Sequence, residues 1–484
     1  MKILFVSPEV VPFAKTGGLA DVAGALPKAI KELGHDIRVF LPLYLMVDAA
    51  RFGLKSTDVT FEVKIGDSSE TVEIFEASIP DSHVTVYFVK HDGYFGRPEL
   101  YTVDGHDYED SAERFTLFSR AVFEFIKVKG WAPDIVHVND WQTAMLAAYI
   151  KVLKDPFFAR TAVVYSIHNM AYQGNFPKEK FSCTGLPGEY FDNGSMSENG
   201  NLCLAKTGFS FADVISTVSE TYAQEIQTEE FGYGLDRALS SRHSDVYGII
   251  NGVDYSVWDP ATDKHIAKRY SAGTLTLKVE NKLALQKKTG LSVDRGVPLL
   301  GIVTRLADQK GLDIFTAAME GMLALGCQIV ILGTGDPKYH EMLTQEKNKF
   351  PKQVALKLGF DAELAQLIYA ASDIFLMPSK YEPCGLGQLI SFRYGTVPLV
   401  RKTGGLADTV QDFNSQTGEG NGFVFEEYSP SALLESARRA TEVFRDRKKW
   451  LFIQKKIMAY DYSWRASAEK YISLYMKALN KVRK

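Results

Sequence analysis

The heptapeptide Lys-Thr-Gly-Gly-Leu-Ala-Asp occurs twice in this chain, as Lys15 to Asp21 and as Lys402 to Asp408. Each copy follows a short apolar run and precedes a stretch of helical periodicity. Two glycines at such a place leave backbone N–H groups bare at a helix N-terminus, with a lysine beside them. That arrangement suits an anion. At 484 residues the chain is too long for one typical core. The repeated strand–turn–helix device therefore points to two similar α/β halves that meet across a ligand.

The pattern along the chain agrees. Lys2–Ser7, Ile37–Leu41, Val84–Val89, Ile135–Val138 and Val163–Ile167 read as buried strands, with helices over Leu19–Leu33 and Ala112–Lys127. Leu19, Val22, Ala23, Leu26, Ile30 and Leu33 fall near one helical face. Phe61–Glu76 alternates like antiparallel strands, so the first half is not purely parallel. In the second half the expected strands are Leu299–Val303, Ile329–Leu332, Val354–Leu358, Ile374–Met377, Val397–Val400 and Gly422–Phe425. Strands separated by helices imply a doubly wound sheet. The boundary is expected near Trp258-Asp259-Pro260, giving domains 1–258 and 259–462, with a last helix over 463–484.

Composition narrows the class. Hydrophobic residues at 46% and charged residues at 24% describe an ordinary soluble domain protein. A net charge of -4 argues against a nucleic-acid partner, and no apolar run reaches membrane-spanning length. The N-terminal run Met1–Ser7 lacks the apolar length of a signal peptide. Cys183, Cys203, Cys327 and Cys384 form no Cys-x-x-Cys pair, which suggests neither zinc nor a disulfide framework and fits a cytoplasmic setting. Composition leaves the oligomeric state open.

Ligands of open α/β sheets bind beyond the carboxyl ends of strands. Lys15-Thr16-Gly17-Gly18 follows the first strand. Asn139-Asp140-Trp141 follows the fourth and His168-Asn169 the fifth. Asp140 reads equally as a helix N-cap, and His168 as a hydrogen-bonded structural residue. After Leu299–Val303 come Arg305 and Lys310, five apart in a loop that opens a helix. A guanidinium fork and an ammonium point charge there suit a diphosphate. After Ile374–Met377 comes Ser379-Lys380-Tyr381-Glu382-Pro383-Cys384-Gly385-Leu386, with a helix beginning near Gly385 or Leu386. Glu382 beside a phosphate site must face something else, such as a sugar hydroxyl. Cys384 reads as a packing residue rather than a nucleophile. No P-loop, Gly-x-Ser-x-Gly elbow, His-Glu-x-x-His or Asp-x-Asp pair is present. Gly333-Thr334-Gly335 reads as a turn and is a weak dinucleotide signal.

Taken in order, these motifs resemble bacterial glycogen synthases and plant starch synthases, end to end. The residues that carry the resemblance are Lys15 to Val22, Asn139-Asp140-Trp141, His168 to Gly174, Thr217-Val218-Ser219, Asn251 to Asp254, Arg305 to Asp313, Pro378 to Leu386 and Lys402 to Asp408. The resemblance implies the GT-B fold, two Rossmann-like domains facing across a deep cleft, with the last helix crossing back to the first domain. It implies retaining transfer of glucose from ADP-glucose to the non-reducing 4-hydroxyl of an α-1,4-glucan, without a metal or other cofactor.

It also assigns roles. Arg305 and Lys310 would bind the diphosphate and stabilise departing ADP. Gly385 and Leu386, in the turn with Cys384, would add backbone N–H groups. Lys15 and Gly18 would close over the phosphate, and Thr403 would line the donor side. Glu382 would bind glucose hydroxyls, and His168 would sit by the anomeric centre. Asp140, Asn169 and Asn251 would line the glucose or acceptor side. Phe360 would stack on the base. Ile390 stands where many retaining GT-B enzymes carry a ribose-binding Glu, a departure shared with this subfamily. The rival readings are another GT-B transferase such as a sucrose synthase, argued against by the paired heptapeptides, and a catalytically inactive glucan-binding homologue, disfavoured by intact Lys15, His168, Arg305, Lys310 and Glu382.

Overall fold

The protein, seen in a computed structural model, is described over residues 1–103 and 106–483. It divides into two compact units. One comprises Met1–Gly252 with Trp464–Lys484, the other Val253–Ser463.

The first unit is built on a nine-stranded sheet. In spatial order its strands are Val246–Gly248, Val214–Thr217, Ala162–Ile167, Ile135–Asn139, Lys2–Val6, Asp36–Pro42, Thr85–Lys90, Ser68–Ser78 and Lys55–Ile65. The first seven pair in parallel, and the last two add an antiparallel hairpin. The alternating residues of Phe61–Glu76 lie in that hairpin. Ile3 to Val6, Val136, Val138 and Ala162 to Val164 are wholly buried, as expected of strands covered on both faces. Val214–Thr217 and Val246–Gly248 are additional strands: both are very short, and so weak in pattern. Helix Gly18–Glu32 buries Leu19, Val22, Ala23, Leu26 and Ile30 on the predicted face. It packs on helix Trp464–Val482, so the end of the chain returns to the first unit. A chain of polar side chains ties that helix into the sheet. His137 contacts Tyr475 Oη at 2.8 Å through Nδ1 and Ser166 Oγ at 2.6 Å through Nε2.

The second unit carries a six-stranded, wholly parallel sheet in the order Val354–Leu358, Gln328–Gly335, Leu299–Leu306, Ile374–Met377, Val397–Arg401, Phe423–Phe425. Two strands outrun their apolar cores. Leu299–Leu306 continues through Arg305, and Gln328–Gly335 takes in Gly333-Thr334-Gly335. Arg305 pairs with Thr334 and Leu306 with Gly335. Arg305 therefore stands on a strand, not in the loop, and the supposed glycine turn is extended ladder. Ladder hydrogen bonds hold these segments after their hydrophobic patterns stop.

Both sheets reverse their strand order at one strand. In the first unit Lys2–Val6 lies between Asp36–Pro42 and Ile135–Asn139. In the second, Leu299–Leu306 lies between Gln328–Gly335 and Ile374–Met377. A crevice opens beyond the carboxyl end of such a switch-point strand.

Candidate active site

At the switch point of the first unit the chain leaves Val6 and passes through Glu9 to the first heptapeptide. Lys15 is exposed and pairs with Asp21, in the first turn of the following helix, at 2.6 and 2.8 Å. Cβ atoms added at Gly17 or Gly18 would meet nothing within 4 Å, so the turn stands in open space. Its amides are not all bare. Thr16 N–H and Gly17 N–H donate to Glu9 Oε2 at 2.6 and 2.9 Å. Glu9 gave no sequence signal, since an isolated acid after a strand is common.

The neighbouring strand ends converge on a second cluster. Asn139 Nδ2 donates to Val6 O at 3.0 Å, which turns its Oδ1 toward His168 Nε2 at 2.9 Å. His168 therefore carries its proton on Nε2 and leaves Nδ1 as a lone pair. Burial pushes the His168 imidazole down to about 3, so it is neutral at working pH. Asp140 sits at φ 56° and ψ 179°, a conformation that costs a non-glycine residue energy. It occupies the N-cap position before Trp141–Thr143 without capping that turn through its side chain. Instead its Oδ1 accepts the His168 N–H at 2.7 Å. Burial raises the Asp140 carboxyl to about 7, opposed by the backbone N–H groups of His168 and Asn169 and aided by the Glu9 charge. Asp140 thus positions the His168–Asn169 backbone. Asn169 Oδ1 accepts the Ala171 N–H at 3.1 Å. Asn251 is buried, and its Oδ1 has no partner among the described residues.

The switch point of the second unit brings together two loops 72 residues apart in sequence. Gly311, at φ 68°, lies so close that a Cβ would stand 1.9 Å from Pro378 O. Lys380 N–H donates to Gln309 O at 2.8 Å, and Gln309 Nε2 donates to Tyr381 O at 3.3 Å. Thus stapled, the loops place Lys310 Nζ 2.6 Å from Glu382 Oε2, which also accepts Ser379 Oγ–H at 2.9 Å. Glu382 is only 6% exposed. Arg305 is exposed, with Nη2 3.4 Å from Gln309 Oε1. Gln309 and Ser379 lie inside the sequence motifs, where neither carries a signal of its own. Phe360 is 88% exposed at the end of its strand.

The second heptapeptide packs beneath Glu382. Gly405 N–H donates to Glu382 O at 3.2 Å and Pro383 O at 3.1 Å. Cβ atoms at Gly404 and Gly405 would stand 2.0 Å from Glu382 O and Cys384 O. Thr403 and Cys384, one on each of these two facing loops, are both buried. Gly385, at φ 73°, precedes Leu386, the N-cap of helix Gly387–Arg393. Lys402 points away to Glu426 at 2.6 Å.

The chain is similar to known proteins over essentially its whole length. The family described as starch synthase catalytic domain matches residues 2–241, and glycosyl transferases group 1 matches residues 286–458. A glycogen synthase of Geotalea daltonii is 47% identical over 99% of both chains. One of Thermotoga maritima is 45% identical over 100% of both. This chain belongs to the glycogen and starch synthase family. The catalytic domain of starch synthase IV from Arabidopsis thaliana, solved bound to ADP and acarbose, superposes with a TM-score of 0.90 at 34% identity, covering 99% of both chains. The architecture is that of the GT-B synthases. A sucrose-phosphate synthase of Thermosynechococcus elongatus shares the fold at a TM-score of 0.62 and 16% identity. As a glycogen synthase family member the chain is a glycosyltransferase. Among its described residues no helix is long and apolar enough to cross a membrane.

Proposed function

We propose that the enzyme transfers glucose from ADP-glucose to the non-reducing 4-hydroxyl of an α-1,4-glucan, with retention of configuration. The observation that carries this reading is the Lys310–Glu382 contact, with Arg305 on the adjoining strand. A nucleotide sugar presents a diphosphate directly bonded to a ring of hydroxyls. It calls for fixed cations beside a buried acceptor, and the stapled loops hold that pair 2.6 Å apart. The starch synthase IV structure, named for bound ADP and acarbose, supports a nucleoside diphosphate and a glucan-like ligand.

In this reading Arg305 and Lys310 take up the charge that develops on departing ADP, a task that metal ions perform in other transferases. No cofactor enters the scheme. Gly385 and Leu386, with the separate turns at Cys384 and at Thr403, surround the phosphates through backbone groups. Lys15 and Gly18 bind the donor phosphate. Phe360 stacks on the adenine, and Glu382 accepts from the glucose hydroxyls. Neutral His168 sits at the anomeric centre and cannot act as a cationic acid. Asp140 holds the His168–Asn169 backbone in place, and Asn169 and Asn251 line the sugar side. The C1–O bond to phosphate breaks with its electron pair moving to ADP. The acceptor 4-hydroxyl attacks the same face, and its proton passes to the leaving phosphate.

Incubation with ADP-glucose and glycogen tests the proposal. The expected result is stoichiometric ADP release with chain growth through α-linkages seen by NMR, at higher initial rate than with equimolar UDP-glucose. No ADP release, β-linked product, or a preference for UDP-glucose would each refute the corresponding part.

A further inference from the structure

The two heptapeptides are identical in sequence but are supported differently. The second is buttressed on the main chain of Glu382 to Cys384. The first has open space around both glycines, and its residues Lys15, Thr16 and Gly18 are exposed. A glycine-rich turn without packing neighbours samples many conformations, so something else must hold it. Beneath it lies Glu9, 5% exposed. Its Oε2 accepts Thr16 N–H at 2.6 Å and Gly17 N–H at 2.9 Å. Its Oε1 accepts Thr16 Oγ1–H at 2.5 Å and Tyr101 Oη–H at 2.8 Å. Glu9 is itself pinned, because Ser7 Oγ–H donates to Glu9 O at 2.6 Å. Burying a carboxylate is costly unless its lone pairs are satisfied. Here four donors from two other segments satisfy it, so the group is a fixed node rather than a solvated charge.

From this we infer that Glu9 is a positioning residue, which sets the Lys15–Gly18 turn in its ligand-binding geometry and ties Tyr101 to the same point. The inference rests on the reading that this turn binds the donor. It also reassigns the turn's chemistry. The amides of Thr16 and Gly17 serve Glu9, so the donor is met by Lys15 and the Gly18 end of the helix. Displacement of such a turn by about 1 Å is enough to cost two orders of magnitude in rate.

The test compares Glu9→Gln, Thr16→Val, Lys15→Ala and the double variant Glu9→Gln with Lys15→Ala. Glutamine keeps the shape of Glu9 and still accepts from the amides. Melting temperatures and initial rates are measured, varying ADP-glucose and glycogen separately. The expected result is a rise in KM for ADP-glucose of about fivefold or more in Glu9→Gln, KM for glycogen within about twofold, and a melting temperature close to wild type. In the Lys15→Ala background, Glu9→Gln adds less than about twofold, because both act through one turn. Full multiplicative effects, or a wild-type KM in Glu9→Gln, overturn the inference. If Glu9→Gln melts early, Thr16→Val carries the same kinetic test. Wild-type kinetics in Lys15→Ala would sink the donor reading of the turn and Glu9's role with it. An impaired Lys15→Ala beside unimpaired Glu9→Gln and Thr16→Val would sink the Glu9 role alone.

Discussion

Lys310 and Glu382 illustrate how one contact serves stability and chemistry at once. Glu382 is buried, with Lys310 and the Ser379 hydroxyl as side-chain partners of Oε2. Removing the ammonium leaves a carboxylate in a poorly solvated place, which is worse than removing both charges. Lys310→Ala is therefore expected to lower the melting temperature and to reduce kcat by about 100-fold or more. Lys310→Ala combined with Glu382→Gln should recover the melting temperature but not the activity. Thermal melts beside initial rates check this; a double variant that recovers both would show that the pair is only structural. The charges themselves were legible in sequence, because cations and a lone acid at strand ends are conspicuous. Their pairing was not, since it depends on Gln309 and Gly311 bringing two distant loops together.

At the scale of elements, the heptapeptides show that identical residues can be selected for different reasons. In the first copy the glycines leave room above a helix N-terminus. In the second they let one main chain press on another, and any side chain there must displace the loop that carries Glu382. Gly18→Ala should therefore fold with stability within about 1 kcal/mol of wild type, alanine being a good helix former. Gly405→Ala should cost about 1–3 kcal/mol through overpacking and should lower kcat by moving Glu382. Denaturant titrations of the two variants check the contrast. Equal losses would show that the copies are equivalent. Element boundaries were readable wherever an apolar run ended with the strand. They were missed at Arg305 and Gly333–Gly335, where ladder bonds continue without apolar side chains.

At the scale of the whole molecule, the last helix is the element that links the ends of the sequence. Tyr475 is 338 residues from His137, yet their contact closes the polar chain inside the first unit. Burial pushes the His137 imidazole down to about 3. Its folded value lies below its unfolded value, so the unfolded chain binds the extra proton. The stability this neutral imidazole contributes is present above about pH 6.5 and is lost as pH falls toward 3. Tyr475→Phe leaves Nδ1 without its partner and should cost about 1–3 kcal/mol. His137→Asn should make the acid limb of the stability curve shallower between pH 6.5 and 4, with His168, also held down to about 3 by burial, carrying the remainder, as followed by urea titration. An unchanged acid limb would place the titrating group elsewhere.

The division between sequence and structure follows from the range of the forces involved. Strand and helix positions, the two doubly wound sheets, and the polar residues at strand ends arise from local periodicity and glycine placement, which the chain carries residue by residue. The motifs by which the chain resembles the glycogen and starch synthases are likewise carried by the sequence itself. What the turns do was decided by tertiary structure alone. Glu9 meets Tyr101 across 92 residues and Lys310 meets Glu382 across 72. Whether a glycine faces open space or another main chain depends on what the fold lays beside it. Hydrogen bonds and steric exclusion act only at contact distance, and the fold sets those contacts.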